Sequence, residues 1–140
     1  MAQLQLDIIT PSQTVVRQKV DYVSATGVEG EFGILPGHVP LLAGLRTGPL
    51  HFQIGAETRY VFIGNGFLEV LDNRVTVLTE VAEMAKDIDV ERAGKARERA
   101  ERRLSRREAV AGQLDQARAQ AALCRAMARL HVAGLNDSTK

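Results

Sequence analysis

The stretch GNGFLEVLDNRVTVLT, residues 64–79, predicts a β-hairpin. An apolar run from Phe67 to Leu71 follows a Gly-Asn-Gly turn, and Asp72-Asn73 supplies a second turn. Beyond that turn, Val75 and Val77 alternate with their neighbours, as in a strand that buries one face. The segment therefore predicts two adjacent strands of a β domain.

The rest of residues 1–85 repeats this pattern of short strands and turns. It holds all four prolines, all six aromatic residues and nine of the twelve glycines. Apolar residues at alternate positions predict further strands at residues 4–8, 15–16, 20–23, 32–34, 50–54 and 59–63. The segment from Pro36 to Pro40 is expected to be a loop, because proline cannot continue a helix or a central strand. Many short strands at close spacing predict an antiparallel β-sandwich.

Residues 86–140 have a different composition, with no proline, no aromatic residue and a helical period. The first helix is predicted to start at an Asp87 or Asp89 cap and to bury one apolar face, formed by Ala93, Ala96, Ala100 and Leu104. A break near Gly112 and a cap at Asp115 predict a second helix, with a buried face of Ala117, Ala121, Cys124, Ala128 and His131. The prediction is an α+β fold, a β-sandwich over residues 1–85 followed by an antiparallel two-helix hairpin over residues 86–140.

The formal net charge of +1 hides a difference between these two parts. Residues 1–85 carry 5 basic and 9 acidic side chains, a charge of −4, whereas residues 86–140 carry 13 and 8, a charge of +5. A basic stripe follows the first helix, but six acids are interspersed with nine bases between residues 86 and 108. Three interpretations stay open: an ion-paired solvated helix, an arm that docks on an acidic protein surface, and an adapter that binds nucleic acid.

Motifs for catalysis, metal binding or membrane insertion are not seen in the sequence. It has no phosphate-binding glycine loop, and its three histidines are widely separated. The single cysteine, Cys124, excludes an internal disulfide framework and is interpreted as a packed apolar residue. No apolar run approaches the length of a membrane-spanning helix, and no secretory signal is expected.

The segment GEFGILPGHVPLL, residues 30–42, strongly resembles the signature of the epsilon subunit of bacterial and chloroplast rotary ATP synthases. Residues 64–70, 75–78 and 88–93 are similar to later parts of that family. The resemblance implies a non-catalytic central-stalk subunit, located on the cytoplasmic face of the bacterial inner membrane as part of the proton-translocating synthase. Its sandwich would bind the gamma subunit and the ring of c subunits, and its hairpin would inhibit ATP hydrolysis when extended toward the alpha and beta subunits.

The resemblance also implies roles for particular residues. The predicted contacts with the c ring are Glu29, Glu31 and His38. The alternatives are a solvated turn for the two acids and a rigid loop with a hydrogen-bonded histidine for His38. The predicted inhibitory arm consists of Arg99, Arg102, Arg103 and Arg106.

Some bacterial members of this family bind ATP on the folded hairpin. The residues that match their pattern are Glu83, Ile88, Asp89, Arg92, Ala93, Arg125 and Arg129. Arg125 and Arg129 are one helical turn apart, so both could neutralise phosphates from the same face. The alternative is that Asp89 caps a helix and the arginines pair with acids. No cofactor is required, and ATP is the one candidate regulatory ligand.

Overall fold

The computed structural model describes residues 2–105, 113–135 and 138–139 of the chain. Its strands are β1 (Leu4–Ile9), β2 (Thr14–Val20), β3 (Tyr22–Gly27), β4 (Gly30–Ile34), β5 (Leu41–Leu45), β6 (Gly48–Ile54), β7 (Glu57–Ile63), β8 (Gly66–Leu71), β9 (Arg74–Thr79), β10 (Ala82–Met84) and β11 (Ser138–Thr139). A short 3-10 helix (Ala85–Asp87) precedes α1 (Val90–Ser105) and α2 (Gln113–Gly134). The predicted β-sandwich and two-helix order are confirmed.

The strands pair in the order β10-β7-β6-β3-β5-β8-β9-β1-β2, with β4 beside β3 and β11 beside β7. All pairs are antiparallel except β1 and β9, which run parallel. The parallel pair departs from the all-antiparallel prediction: β1 lies between β9 and β2 and runs parallel to the first and antiparallel to the second. Three of the strands, β5, β10 and β11, were not predicted.

The predicted hairpin at residues 64–79 is present as β8 and β9. Its turn residues Asp72 and Asn73 have positive φ angles of 49° and 61°, which match a two-residue hairpin turn. Val75 and Val77 are fully buried, as their alternation predicts. The other inward-facing residues of the sandwich core include Leu4, Leu6, Ile8, Val23, Leu50, Phe52, Val61, Ile63 and Leu68.

The first helix follows the prediction closely. The backbone N–H of Arg92 donates to Asp89 Oδ1 at 3.0 Å, so Asp89 caps α1. Ala93 and Ala100 are buried against the neighbouring structure, and Ala96 and Leu104 are half-buried. The apolar face of α1 is therefore the predicted one.

The predicted buried face of the second helix is wrong. Its buried residues are Ala119, Ala126 and Val132, whereas Ala117, Ala121, Cys124 and His131 are exposed and Ala128 is half-buried. The two candidate faces have the same spacing and are both rich in alanine, so periodicity could not choose between them. Cys124 is accordingly not a packed apolar residue. Asp115 lies in the first turn of α2 and is not its cap, and the predicted break at Gly112 lies outside the described residues.

Candidate functional site

The three residues predicted to contact the c ring lie together at one end of the sandwich. Glu29, Glu31 and His38 all line a cavity of about 560 Å³, together with Val28 and Leu42. The β3–β4 hairpin carries both acids, with Gly30 at a φ of 130° in its turn. We call this the tip pocket. It combines two carboxylates and an imidazole with exposed apolar side chains.

Hydrogen bonds hold the walls of the tip pocket in place. Ser24 Oγ donates to Glu31 Oε1 at 3.1 Å, which fixes one of the two acids. The backbone N–H of Gly37 donates to Asn73 Oδ1 at 2.7 Å, so the β8–β9 turn anchors the loop that carries His38. Glu29 is exposed in the described structure and His38 is half-buried.

An exposed apolar patch adjoins the tip pocket on the outer face of β5, β8 and β9. It consists of Val28, Leu42, Phe67 and Leu78, which are 58%, 71%, 60% and 53% exposed. Phe67 and Leu78 are direct cross-strand partners, and Val28 packs over Gly44 beside them. Sequence reasoning missed this apolar patch, although a leucine at an outward position of β9 was a usable signal. Exposed apolar surface of this kind marks interaction sites.

The opposite face of the sandwich is covered by the helical hairpin. Phe62 points away from the main core and is nevertheless fully buried, in a second cluster with Ala85, Ile88 and Val132. The guanidinium of Arg129 lies 4.6 Å from the centroid of the Phe62 ring. Arg129 Nε also donates to Glu83 Oε1 at 2.8 Å. The hairpin is thus docked through both apolar and charged contacts.

The residues that match the ATP-binding pattern occupy different environments. Glu83 and Arg129 are paired with each other, and Asp89 caps α1 as the alternative interpretation expected. Ile88 and Ala93 are buried, whereas Arg92 and Arg125 are exposed. Arg92 and Asp89 line an open groove of about 220 Å³, whose other walls are Glu91, Lys95 and Arg99. The groove is therefore lined by both acidic and basic side chains.

The predicted inhibitory arm lies on the exposed side of α1. Arg99, Arg102 and Arg103 are exposed, and Arg106 lies outside the described residues. Glu91 pairs with Lys95 at 3.3 Å, and Arg97 pairs with Glu101 at 3.5 Å. In the described part of α1, Lys95 and Arg97 are therefore paired on their own helix, and neither of them belongs to the predicted arm.

The described residues offer neither a metal-binding cluster nor a membrane-spanning helix. They contain no cluster of three or more histidine, cysteine or acidic side chains that could hold a metal ion. They also include no helix long and apolar enough to cross a membrane.

One histidine on the hairpin side of the sandwich makes stability depend on pH. Burial lowers the pKa of His51 below its usual 6.5, although nearby Glu31 opposes the shift. The ring of His51 lies between those of Tyr22 and Tyr60, with centroids 6.0 and 5.5 Å away. Because the folded state binds this proton less readily than the unfolded state, stability falls as pH drops below about 6.5.

We expect the melting temperature to decrease between pH 7 and pH 5, and the decrease to be smaller in His51→Gln, which carries no titrating ring. Thermal melts at both pH values, read by circular dichroism, measure this difference. An equal decrease in both proteins would show that His51 is not responsible.

Comparisons with known proteins agree with this architecture. The family model "ATP synthase, Delta/Epsilon chain, beta-sandwich domain" matches residues 3–85, and "ATP synthase, Delta/Epsilon chain, long alpha-helix domain" matches residues 86–134. An ATP synthase epsilon chain of Nitratidesulfovibrio vulgaris (strain DP4) is 52% identical over 131 residues, covering 94% of this chain and 96% of the relative. The ATP synthase epsilon chain of Symbiobacterium thermophilum is 46% identical over 141 residues, covering 100% and 99%.

Solved structures show the same fold at lower identity. A chain in the cryo-EM structure of Euglena gracilis mitochondrial ATP synthase, OSCP/F1/c-ring in rotational state 1, superposes with a TM-score of 0.79 at 24% identity, covering 97% of this chain and 83% of that one. A chain of the Tetrahymena thermophila mitochondrial ATP synthase central stalk/c-ring superposes with a TM-score of 0.66 at 13% identity, covering 94% and 97%. From the family models and the relatives, this chain belongs to the delta/epsilon-chain family of ATP synthase, as a non-catalytic epsilon chain of the bacterial type.

Proposed function

We propose that this chain is a rotor subunit of the central stalk, which couples rotation of the c ring to ATP synthesis and restrains ATP hydrolysis. The observation that carries this proposal is the division of the sandwich into two faces. One face exposes the apolar patch beside the tip pocket, and the other is covered by the hairpin. A stalk subunit needs such a division, because one surface must hold permanent partners while another element changes position.

The gamma subunit is the proposed partner of the apolar patch. Four large apolar side chains that are each more than half exposed would be stabilised by a permanent interface. The proposed partner of the tip pocket is the c ring, whose loops would meet Glu29, Glu31 and His38. Through these contacts the complex would lie on the cytoplasmic face of the bacterial inner membrane.

The hairpin is the proposed regulatory element. In its extended form, the exposed arginines at positions 99, 102 and 103 would contact acidic surfaces of the alpha and beta subunits. Arg106 belongs to the same proposed arm. In the docked form, α2 rests on the sandwich through the contact of Val132 with Phe62.

Reconstitution of the catalytic core tests this proposal. The full-length chain should bind gamma and lower the ATPase rate of a core that contains alpha, beta and gamma. A chain that neither associates with gamma nor changes the ATPase rate would overturn the proposal. Measurement at several salt concentrations would show whether the arginines contribute, because screening weakens contacts between exposed charges.

ATP is the proposed regulatory ligand of the docked hairpin, with its phosphates on Arg92 and Arg125. Arg125 is exposed, so its replacement should not disturb the fold. We expect Arg125→Ala to weaken ATP binding about tenfold or more, because a charge-assisted contact is lost. Calorimetric titration of ATP into both proteins measures the change, with Arg118→Ala, also exposed on α2, as the matched control. Identical titration curves for wild type and Arg125→Ala would remove Arg125 from the site.

The nucleic-acid adapter that the sequence left open is not supported. The matching families and the relatives described above are ATP synthase chains. The basic helix also pairs lysine and arginine with its own acids at two places, which reduces its attraction for phosphates.

A further inference from the structure

Arg129 is the one described residue of α2 whose side chain makes an ion pair with the sandwich. Its guanidinium contacts Glu83 of β10 and Phe62 of β7. These two residues are direct cross-strand partners, so the Arg129 side chain contacts both β10 and β7 at the same point of the sheet. The contact therefore depends both on the position of α2 and on the pairing of β10 with β7.

The chemistry of this contact favours arginine over other cations. A planar guanidinium can lie over an aromatic ring and donate to a carboxylate at the same time, which an ammonium does poorly. The side chains of Arg129 and Glu83 are only 26% and 35% exposed, so solvent screens their attraction less than on an open surface. Val132, three residues further along α2, is fully buried in the Phe62 cluster. The apolar contact between Val132 and Phe62 holds α2 against the sheet. Arg129 adds a hydrogen-bonded ion pair, which also fixes the orientation of the helix.

We infer that Glu83, Phe62 and Arg129 form a latch that holds the hairpin on the sandwich without any ligand. This inference rests on the proposed function, in which the hairpin leaves the sandwich to inhibit hydrolysis. Extension must break the ion pair and expose the Phe62 ring, so the latch sets how often the arm is released. The structure therefore assigns Arg129 to the contact that holds the hairpin in its docked position. An ATP phosphate that bound this guanidinium would compete with Glu83 for it.

Hydrogen exchange on the full-length chain tests the latch. Arg129→Gln and Glu83→Gln should each raise the exchange rate of α2 amides between residues 119 and 132 by roughly 5- to 30-fold, the effect of one or two kcal/mol on an opening equilibrium. Arg129→Lys should fall between wild type and Arg129→Gln, because it keeps the charge and loses the stacked plane. Arg118→Gln, on an exposed part of the same helix, is the matched control and should not change the rate. Exchange in β9 should stay constant and exclude global unfolding.

The double variant Glu83→Gln with Arg129→Gln decides whether the two residues act together. If they form one latch, the double variant exchanges little faster than either single variant. Fully additive effects, or single variants that behave like Arg118→Gln, would overturn the latch. The ATPase rate of the reconstituted core is measured in parallel. Faster α2 exchange with unchanged inhibition would support the latch and contradict the proposed inhibitory role of the hairpin.

Discussion

Replacement of Phe67 by aspartate should strongly weaken binding to the gamma subunit while the chain keeps its fold. Phe67 is 60% exposed at the centre of the apolar patch, so a carboxylate there stays hydrated in the free chain. In a complex the same carboxylate would be buried without a partner, at a cost of about 3 to 5 kcal/mol. The expected result is binding weaker by at least a hundredfold. Calorimetry with purified gamma measures the affinity, and a thermal melt checks the fold.

Two matched variants distinguish the effect of the introduced charge from the effect of losing the Phe67 side chain. Phe67→Leu keeps an apolar side chain and should weaken binding far less than Phe67→Asp. Gln18→Asp places a carboxylate on exposed β2, away from the apolar patch, and should leave binding unchanged. If Phe67→Asp bound gamma as tightly as wild type, the apolar patch would not be the gamma site.

The strands that the sequence predicted are those with local signals. In residues 64–79, alternation and a two-residue turn of Asp72 and Asn73 determine both strands without help from distant residues. The three strands that were missed depend on partners far along the chain, and Ser138–Thr139 forms a strand by pairing with β7. The segment Leu41–Leu45 has no alternation and becomes a strand by pairing with β8, and Ala82–Met84 does so by pairing with β7.

The helix faces show a second limit of sequence reasoning. On α1, leucine and alanine share one stripe and the buried face was predicted correctly. On α2, alanines occur around the helix, and the buried face depends on where Val132 meets Phe62 of the sandwich. A period gives the spacing of a buried face, but only the docking partner selects one of several equivalent faces.

The candidate sites were predicted unevenly for the same reason. Glu31 and His38 belong to the segment of residues 30–42 that resembles the family signature, Glu29 directly precedes it, and the structure brings all three together around the tip pocket. The apolar patch was missed because the outward position of Leu78, which its alternation with Val77 indicates, does not show that Phe67 and Leu42 lie beside it. The pairing of Arg129 with Glu83 joins residues 46 positions apart, which no local pattern indicates.

Truncation after Lys86 should leave a folded sandwich that no longer restrains ATP hydrolysis. The main core draws only on residues of the sandwich strands, including Leu6, Phe52 and Val77, so it survives removal of the helices. The truncation removes Ile88 and Val132, which pack on the fully buried Phe62, and so exposes its ring. We therefore expect the free energy of unfolding to fall by roughly 1.5 to 3 kcal/mol, the value of burying one large apolar side chain. Urea denaturation measures this loss, and the ATPase rate of the reconstituted core measures the loss of inhibition.

A second substitution shows whether Phe62 accounts for the coupling between hairpin and sandwich. In the full-length chain, Phe62→Ala should cost about 3 to 5 kcal/mol, because it opens a cavity under α2 and removes the ring that Arg129 contacts. In the truncated chain the same ring is a surface residue, so Phe62→Ala should change stability by less than about 1 kcal/mol. Equal costs in both chains would mean that Phe62 is needed by the sandwich itself. An aggregated or unfolded truncated chain would show that the hairpin is part of one indivisible core, and the hairpin could then not leave the sandwich to regulate hydrolysis.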